Sequence, residues 1–199
     1  IWKGLVGSEM CIRDRSLSKV RDISLITTPP TGRKSVKTIV SRYSKSLVFE
    51  AIQREFYRDG QVFYLLNNVS MLEEKKKEIS VRFPGKKIAF AHGQLRPKEL
   101  SKVMESFIRK EIDLLVCTTI IESGIDIENA NTLIVEESEN YGLSQLHQIR
   151  GRVGRSKREA YAYFFLNENK ELKNKASERI EALQENESLL SGFSLAMRD

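Results

Sequence analysis

The stretch QLHQIRGRVGRS, residues 145–156, combines three arginines and two glycines in a segment that otherwise has the composition of a helix. Glycine inside a helix costs about 1 kcal/mol relative to alanine, so two glycines three residues apart require a cause. On a 3.6-residue helix, four long polar side chains share one face: Gln145, Gln148, Arg152 and Arg155. Arginine is permanently charged and offers two parallel N–H donors, which suits phosphate. We predict that this face contacts phosphate; the alternative is a basic surface helix.

A domain that hydrolyses nucleotides also needs a loop that wraps backbone N–H groups around the phosphates. Residues 32–35, GRKS, and 85–87, GKK, lack the G-x-x-x-x-G-K-[ST] spacing of such a loop. We therefore expect Glu136 and Glu137, which end the apolar run TLIVEES, to lie in solvent or at an interface instead of holding Mg²⁺. The arginines would then act as an arginine finger on a nucleotide held by a partner domain, a contribution on the order of 10³–10⁵ in rate.

The elements that must position these arginines alternate regularly from Ser35 onward. Apolar strands followed by helices predict βαβ units and an α/β fold with a doubly wound parallel sheet. The predicted strands span residues 35–43, 61–67, 86–92, 113–119, 131–138 and 160–166, and the predicted helices span 46–60, 70–83, 96–110, 145–156 and 170–184. The side chains predicted to face the core are Met71, Leu72, Ile79 and Phe83 on one helix, and Leu146, Ile149 and Val153 on another. Ser46 is predicted near an N-cap.

Polar side chains follow four of the predicted strands, at the point where each strand ends. They are Asn67–Asn68, His92–Gly93–Gln94, Thr118–Thr119 and Glu136–Glu137. In open α/β sheets, ligands bind beyond the carboxyl ends of the strands. This edge of the sheet is therefore the expected place for a ligand.

Two of these places have alternative interpretations. Thr118 and Thr119 could hold a phosphate through their hydroxyls and the adjacent backbone N–H groups, or they could simply cap a helix. Asp126, beyond the turn permitted by Gly124, could orient a cation or be an ordinary turn residue. His92 could be a hydrogen-bonded loop residue, but the adjacent Gly93 and Gln94 favour a backbone contact with phosphate over acid–base chemistry.

The composition is that of a globular protein with a mild preference for polyanionic partners. The chain has 199 residues, a formal charge of +6 and a pI near 9.3. Its two cysteines, Cys11 and Cys117, have neither disulfide nor metal-ligand spacing, so no metal site is expected. No apolar run approaches the roughly 20 residues of a membrane span, and a cytoplasmic location without membrane contact is expected.

Three segments together resemble a known family. QLHQIRGRVGR resembles motif VI of the superfamily-two helicases, LVCTTIIESGIDI resembles motif V, and GQVFYLLNNV resembles the motif IV region. Within that superfamily, SLSKVRDISLITTPPTGRKSVKT, AHGQLRPKELSKVM and ENYGLSQLHQIRGRVGRSKREAYAYFF are similar to the translocase module of the transcription-repair coupling factors. The RecG-type helicases share much of motifs V and VI but not the TTPPTGR lead-in. The resemblance implies the second RecA-like lobe of a two-lobed nucleic-acid motor.

The resemblance also implies a domain organisation. Residues 16–34 would connect two lobes, residues 35–166 would form the helicase C-terminal lobe, and residues 167–199 would begin a truncated helical hairpin that relays lobe closure to DNA movement. Residues 1–15 have no clear periodicity and are expected to be foreign to the domain or disordered. ATP and Mg²⁺ would be held mainly by a first lobe outside this chain.

Carried over by position, the resemblance assigns roles to individual residues. The catalytic residues would be Arg152 and Arg155, the nucleotide-binding residues Gln148, Gly124 and Asp126, and the DNA-binding residues Thr118, Thr119, His92, Gly93 and Asn67. We expect an ATP-dependent double-stranded-DNA translocase that displaces stalled RNA polymerase and couples transcription to nucleotide excision repair. RNA polymerase and excision-repair proteins would bind through other domains, and the fragment alone is expected to be inactive.

Two other functions remain open from the sequence. One is the lobe of a RecG-type branched-DNA helicase, and the other is a standalone, non-enzymatic nucleic-acid-binding module. A small-molecule α/β enzyme is disfavoured because the chain offers no convincing pair of nucleophile and base.

Overall fold

The computed structural model describes residues 35–118, 129–154 and 158–167. Their six strands form one parallel sheet in the order β1-β6-β5-β2-β4-β3. The strands are β1 Val36–Arg42, β2 Gln61–Leu65, β3 Ile88–Ala91, β4 Leu114–Cys117, β5 Ala130–Val135 and β6 Ala160–Leu166. The helices are α1 Lys45–Tyr57, α2 Leu72–Arg82, α3 Pro97–Ile108 and α4 Leu143–Arg150. Short 3₁₀ turns at Val69–Met71 and Ser138–Asn140 precede α2 and α4.

Apolar layers cover both faces of the sheet, which confirms the predicted doubly wound α/β fold. Side chains of α1 and α2 pack on one face, and those of α3 and α4 pack on the other. Strands β2, β4 and β5 are buried along their whole length, as expected where both faces are covered. On the α3 and α4 face, Phe107 packs against Phe63 with ring centres 4.9 Å apart. The predicted inward residues Leu146, Ile149 and Val153 are all buried on that face.

The predicted start of α1 agrees with the structure, whereas the inward position predicted for Met71 is wrong. Helix α1 begins at Lys45 after its N-cap Ser44, so Ser46 lies near the N-cap, in the first turn of the helix. Met71 is 42% exposed because it belongs to the 3₁₀ turn before α2, whereas Leu72 and Ile79 are fully buried. The bounds of α2 therefore differ from the predicted 70–83 by one or two residues.

Several predictions lie outside the described residues. These are the separate status of residues 1–15, the connector at 16–34, the charged helix at 170–184 and the hairpin beyond Asn167. Within the described part of the chain, no helix combines the length and apolarity needed to cross a membrane.

Candidate functional site

Helix α4 runs alongside the strands, from the edge of the sheet where the strands end to the edge where they begin. Just before the helix, Ser138 donates a hydrogen bond to the Phe165 carbonyl near the carboxyl end of β6 (3.1 Å). Just after it, Gly154 lies against Val36 and Ala160, the first residues of β1 and β6. The helix therefore begins at the carboxyl edge of the sheet and delivers the chain to the amino edge.

The predicted helix over residues 145–156 is wrong for residues 151–154, because the helix ends at Arg150. Gly151 ends α4, and its N–H donates to the His147 carbonyl (2.9 Å), while the Arg152 N–H donates to the Ile149 carbonyl (3.1 Å). Half-buried Arg152 is thus presented from the turn that follows the helix, about one turn beyond exposed Gln148. These two candidates are brought together at the amino edge.

The other two residues of the predicted polar face, Gln145 and Arg155, do not join Gln148 and Arg152 in the described structure. The Gln145 side chain accepts a hydrogen bond from the Gly142 N–H (3.1 Å), so it caps the start of α4. Arg155 lies outside the described residues. The single continuous face predicted from helical spacing is therefore not formed by the described residues.

The two glycines of the motif have unequal roles. Gly154 has φ +74, and a Cβ at this position would lie 2.9 Å from both the Ala160 Cβ and the Val36 Cγ2. Gly151 has φ −67, and a Cβ there would be no closer than 3.4 Å to any atom. Glycine is required at position 154 because the turn takes a left-handed conformation directly against the sheet. The atoms that come close to Gly154 are therefore those of β1 and β6 of the same chain.

Arg150, which the sequence analysis did not assign a role, anchors the end of α4. Arg150 is only 9% exposed, and its guanidinium donates to the Thr38 hydroxyl of β1 (3.3 Å) and to His147 Nδ1 (3.0 Å). A signal was present, because Arg150 falls seven residues after Leu143 and four after Leu146, on the apolar side of α4. An arginine at that position must find internal acceptors.

Histidine 147 is neutral in this arrangement. A guanidinium can only donate, so Nδ1 accepts and the ring proton resides on Nε2. Burial and the nearby Arg150 charge lower the pKa of His147 to about 4. His147 therefore supports α4 as an uncharged acceptor.

This pKa predicts a loss of stability at mildly acidic pH. Between the ordinary pKa of 6.5 and the folded value of about 4, the unfolded chain binds a proton that the folded chain does not. The contribution is therefore complete above pH 6.5 and declines as the pH falls towards 4. Urea unfolding at pH 7 and pH 5 should show that the free energy of unfolding falls less between these two pH values for His147→Asn than for the unmodified chain. Equal drops would assign the pH dependence to other groups.

A second group of candidates assembles at the carboxyl edge. Strands β2, β4 and β3 are neighbours in the sheet, and they end next to Asn67, Thr118 and His92 respectively. The Thr118 N–H donates to the Ala91 carbonyl (3.3 Å), which ties the ends of β3 and β4 together. The structure thus brings these three predicted residues to one edge.

These carboxyl-edge residues are accessible. Asn67 and Gly93 are exposed, and His92 and Thr118 are half-buried. The His92 ring stacks on Phe90 with centres 6.1 Å apart, and its Nδ1 has no hydrogen-bond partner among the described residues. The described residues therefore do not support the alternative that the His92 side chain is hydrogen-bonded within its loop. Three further candidates, Thr119, Gly124 and Asp126, lie outside the described residues.

Glu136, expected in solvent or at an interface, is buried beside this edge. It is 9% exposed, accepts a hydrogen bond from the Tyr64 hydroxyl and pairs with Lys75 Nζ (3.0 Å). Lys75 also donates to the Tyr43 hydroxyl (3.1 Å). Burial, and then the Glu136 charge, raise the pKa of Tyr64, so the tyrosine remains a donor. Only Glu137 is exposed as predicted.

No metal site is formed by the described residues. Within residues 35–118, 129–154 and 158–167, no three His, Cys, Asp or Glu side chains are grouped to hold an ion. Cys117 is buried in β4, and burial raises the pKa of its thiol, which suits a core residue.

Comparison with known proteins gives the family. The helicase conserved C-terminal domain family matches residues 45–157, more than half of the chain. The chain belongs to this family. The helicase C-terminal domain extends from the start of α1 to the arginine motif, so both groups of candidates lie within it or at its end.

The coupling-factor resemblance is confirmed by curated relatives. The chain is 51% identical over 184 residues to the transcription-repair-coupling factor of Staphylococcus haemolyticus, and 50% identical to that of Staphylococcus aureus strain USA300. Each match covers 92% of this chain and 16% of the relative. The chain thus spans a small part of the length of these relatives.

Solved structures confirm a RecA-like helicase C-terminal lobe. A structure of RecG bound to a three-way DNA junction superposes with a TM-score of 0.74 and 34% identity, covering 86% of this chain and 22% of that one. Dbp5 L327V of S. cerevisiae, bound to RNA and ADP BeF3, has a TM-score of 0.60 and 15% identity, covering 89% of this chain and 46% of its own. The second likeness concerns the fold alone.

Proposed function

We propose that the chain is the second RecA-like lobe of an ATP-dependent double-stranded-DNA translocase of the transcription-repair coupling type. The whole protein would displace stalled RNA polymerase and couple transcription to nucleotide excision repair. The observation that carries this proposal is the 51% identity to the S. haemolyticus coupling factor over 184 residues. RNA polymerase and the excision-repair proteins would bind parts of the longer protein outside this match. The chain alone would not hydrolyse ATP.

Arg152 and Arg155 would contact the phosphates of ATP, with Gln148 in the same cleft. ATP supplies the phosphoryl group whose transfer drives the motor. The donor set fits such an anion, because guanidinium and amide N–H groups bind phosphate oxygens. Arg152 is held by its backbone bond to Ile149 and by the buried Val153 and Gly154 that follow it. Mg²⁺ would be held mainly by the first lobe.

The DNA backbone would lie along the carboxyl edge, against Asn67, His92, Gly93, Thr118 and Thr119. The described members of this group would position phosphates by hydrogen bonds from their side chains and backbone N–H groups and would not read bases. Residues 119–128, which contain Gly124 and Asp126, join Thr118 at the carboxyl edge to Asn129 at the amino edge.

A chimera can test the proposal. In it, the matching 184-residue segment of the S. haemolyticus factor is replaced by that of this chain. We expect the chimera to displace a triplex-forming oligonucleotide from linear duplex DNA in an ATP-dependent manner. Failure on duplex DNA by a chimera that folds and binds ATP would contradict the proposal.

The RecG-type lobe is the second candidate, supported by the TM-score of 0.74 to junction-bound RecG. In that case the matching segment grafted into RecG should restore a larger fraction of the junction unwinding of unmodified RecG than the fraction of duplex translocation that the coupling-factor chimera restores relative to the unmodified factor. The opposite order favours the coupling factor. Tight duplex binding by the chain alone at physiological salt, with no gain in either chimera, would favour the standalone binding module.

Phosphate contacts predict how the chimera binds duplex DNA. Its affinity should fall by on the order of 10³ between 50 and 200 mM salt, because Lys and Arg side chains of the whole chimera neutralise DNA phosphates and the release of counterions dominates binding. Affinity should not depend on base sequence. Fluorescence anisotropy with several labelled duplexes at a series of salt concentrations measures both. A strong preference for one sequence would count against this mode of binding.

A further inference from the structure

A pocket lies between the ends of α1 and α2, away from both groups of candidates. Its volume is about 330 Å³, and Phe56, Tyr57, Arg82, Phe83 and Lys86 contribute to its lining. The Phe56 and Phe83 rings meet edge to face with centres 5.3 Å apart. The pocket is therefore a preformed aromatic cavity of a size that suits a single large apolar side chain.

The pocket's position separates it from the proposed nucleotide and DNA sites. Helices α1 and α2 end where β2 and β3 begin, so the pocket is at the amino edge of the sheet. The DNA candidates lie at the carboxyl edge. Arg152 follows α4, which packs on the opposite face from α1 and α2. The proposed translocase chemistry therefore leaves this pocket unused.

The lining is positively charged. Among the described residues, no carboxylate lines the pocket, and the two cations in its lining are Arg82 and Lys86. Lys86 Nζ is 3.3 Å from an Asp113 oxygen, whereas Arg82 forms no ion pair with any described residue and lies 5.8 Å from the Phe83 ring centre. Arg82 thus offers an open guanidinium at the mouth of an apolar cavity.

Two further arginines lie on the side of α1 that faces β6, away from α2 and the pocket. The Arg54 guanidinium lies 3.7 Å from the Tyr161 ring centre and donates to the Tyr163 hydroxyl (2.5 Å). Arg58 lies 5.2 Å from the same ring, donates to the Glu159 carbonyl (3.1 Å) and pairs with Glu55. Both guanidinium groups are therefore bound within the protein, and Arg82 is the cation that the pocket offers to a partner.

Exposed apolar side chains complete this surface. Tyr57 is 81% exposed, and Val81, next to Arg82, is 84% exposed. Among the described residues these are the two most exposed large hydrophobic side chains. Exposed tyrosine and arginine around an apolar pocket are typical of protein-binding surfaces.

We propose that this surface, formed by Tyr57, Arg82 and the Phe56–Phe83 pocket, binds an acidic protein segment that carries an apolar or aromatic anchor. The anchor enters the pocket, and a flanking carboxylate pairs with Arg82. A nucleic-acid backbone fits less well, because Lys86, one of the two cations that line the pocket, is already paired with Asp113. A polyanion needs a row of cations that are not paired.

Selection of random 12-residue peptides displayed on phage against the 199-residue chain tests the proposal. We expect the enriched peptides to share Asp or Glu next to Phe, Trp or Leu. A synthetic enriched peptide should lose about tenfold in affinity for Arg82→Glu and for Tyr57→Ser. The matched control is Lys77→Glu, which introduces the same charge change on α2 at an exposed residue outside the pocket and should leave affinity within about twofold.

Three outcomes would overturn the proposal. They are the absence of acidic enrichment, an equal loss for Lys77→Glu, and a loss of 20-base-pair duplex binding in Arg82→Glu and Tyr57→Ser as large as the loss of peptide binding. The last outcome would assign the surface to nucleic acid. Thermal melting of the three variants should match that of the unmodified chain, because all three side chains are exposed.

Discussion

Replacing Arg155 with alanine in the coupling-factor chimera is expected to lower DNA-stimulated ATP hydrolysis by about 10³-fold, with little change in duplex affinity. An arginine finger stabilises charge that develops on the phosphoryl group in the transition state, and this stabilisation acts on turnover. The DNA candidates lie at the carboxyl edge, whereas Arg152 and Gly154, which precede Arg155 in the sequence, lie at the amino edge, so the DNA contacts should survive. Arg152→Ala should act in the same direction.

Two controls make the result specific to the finger. Arg109→Ala removes an exposed arginine just after α3 and should leave turnover unchanged. Arg152→Lys keeps the charge but loses the planar pair of donors, so it should recover only a minor part of the activity. Unchanged turnover in Arg155→Ala, or an equal loss of duplex affinity, would refute the assignment.

The second large effect concerns stability. Gly154→Ala should lower the free energy of unfolding by about 2–4 kcal/mol, from the cost of a left-handed residue and from overpacking against β1 and β6. The matched substitution Gly151→Ala should be close to neutral, because its φ is ordinary and no atom would come within 3.4 Å. Urea denaturation of the 199-residue chain measures both.

The comparison between these two glycines tests how the arginine motif is built. Equal effects of Gly151→Ala and Gly154→Ala would show that the turn does not rest against the sheet as described. A larger effect at Gly154 alone would show that this glycine is needed for folding, and that its role need not involve a ligand.

The sheet could be predicted from the sequence because most of its strands are largely apolar runs. Strands such as LLVC and ANTLIV are buried on both faces, and their neighbours in the sequence are helices with one apolar side. The end of α4 could not be predicted by the same signal. The apolar spacing continues from Leu146 through Ile149 to Val153, although the helix stops at Arg150. Periodicity reports which side chains are buried, not which conformation carries them there.

The carboxyl-edge candidates could also be predicted, because a parallel sheet places the ends of its strands at one edge. The prediction for Glu136 failed because its partners are far away in the sequence. Tyr64 precedes it by 72 residues, and Lys75 comes from α2. A single sequence shows neither pairing. Arg150 was different, because its place on the apolar side of α4 already indicated a buried guanidinium.

ATP hydrolysis by the coupling-factor chimera, measured with and without duplex DNA, tests the central claim most directly. The reference is the same factor with the 184-residue segment deleted. If this chain is the second lobe of a DNA translocase, the chimera should recover DNA-stimulated turnover that the deletion lacks. A chimera that is folded and binds duplex DNA, yet shows no stimulation of turnover, would contradict that account.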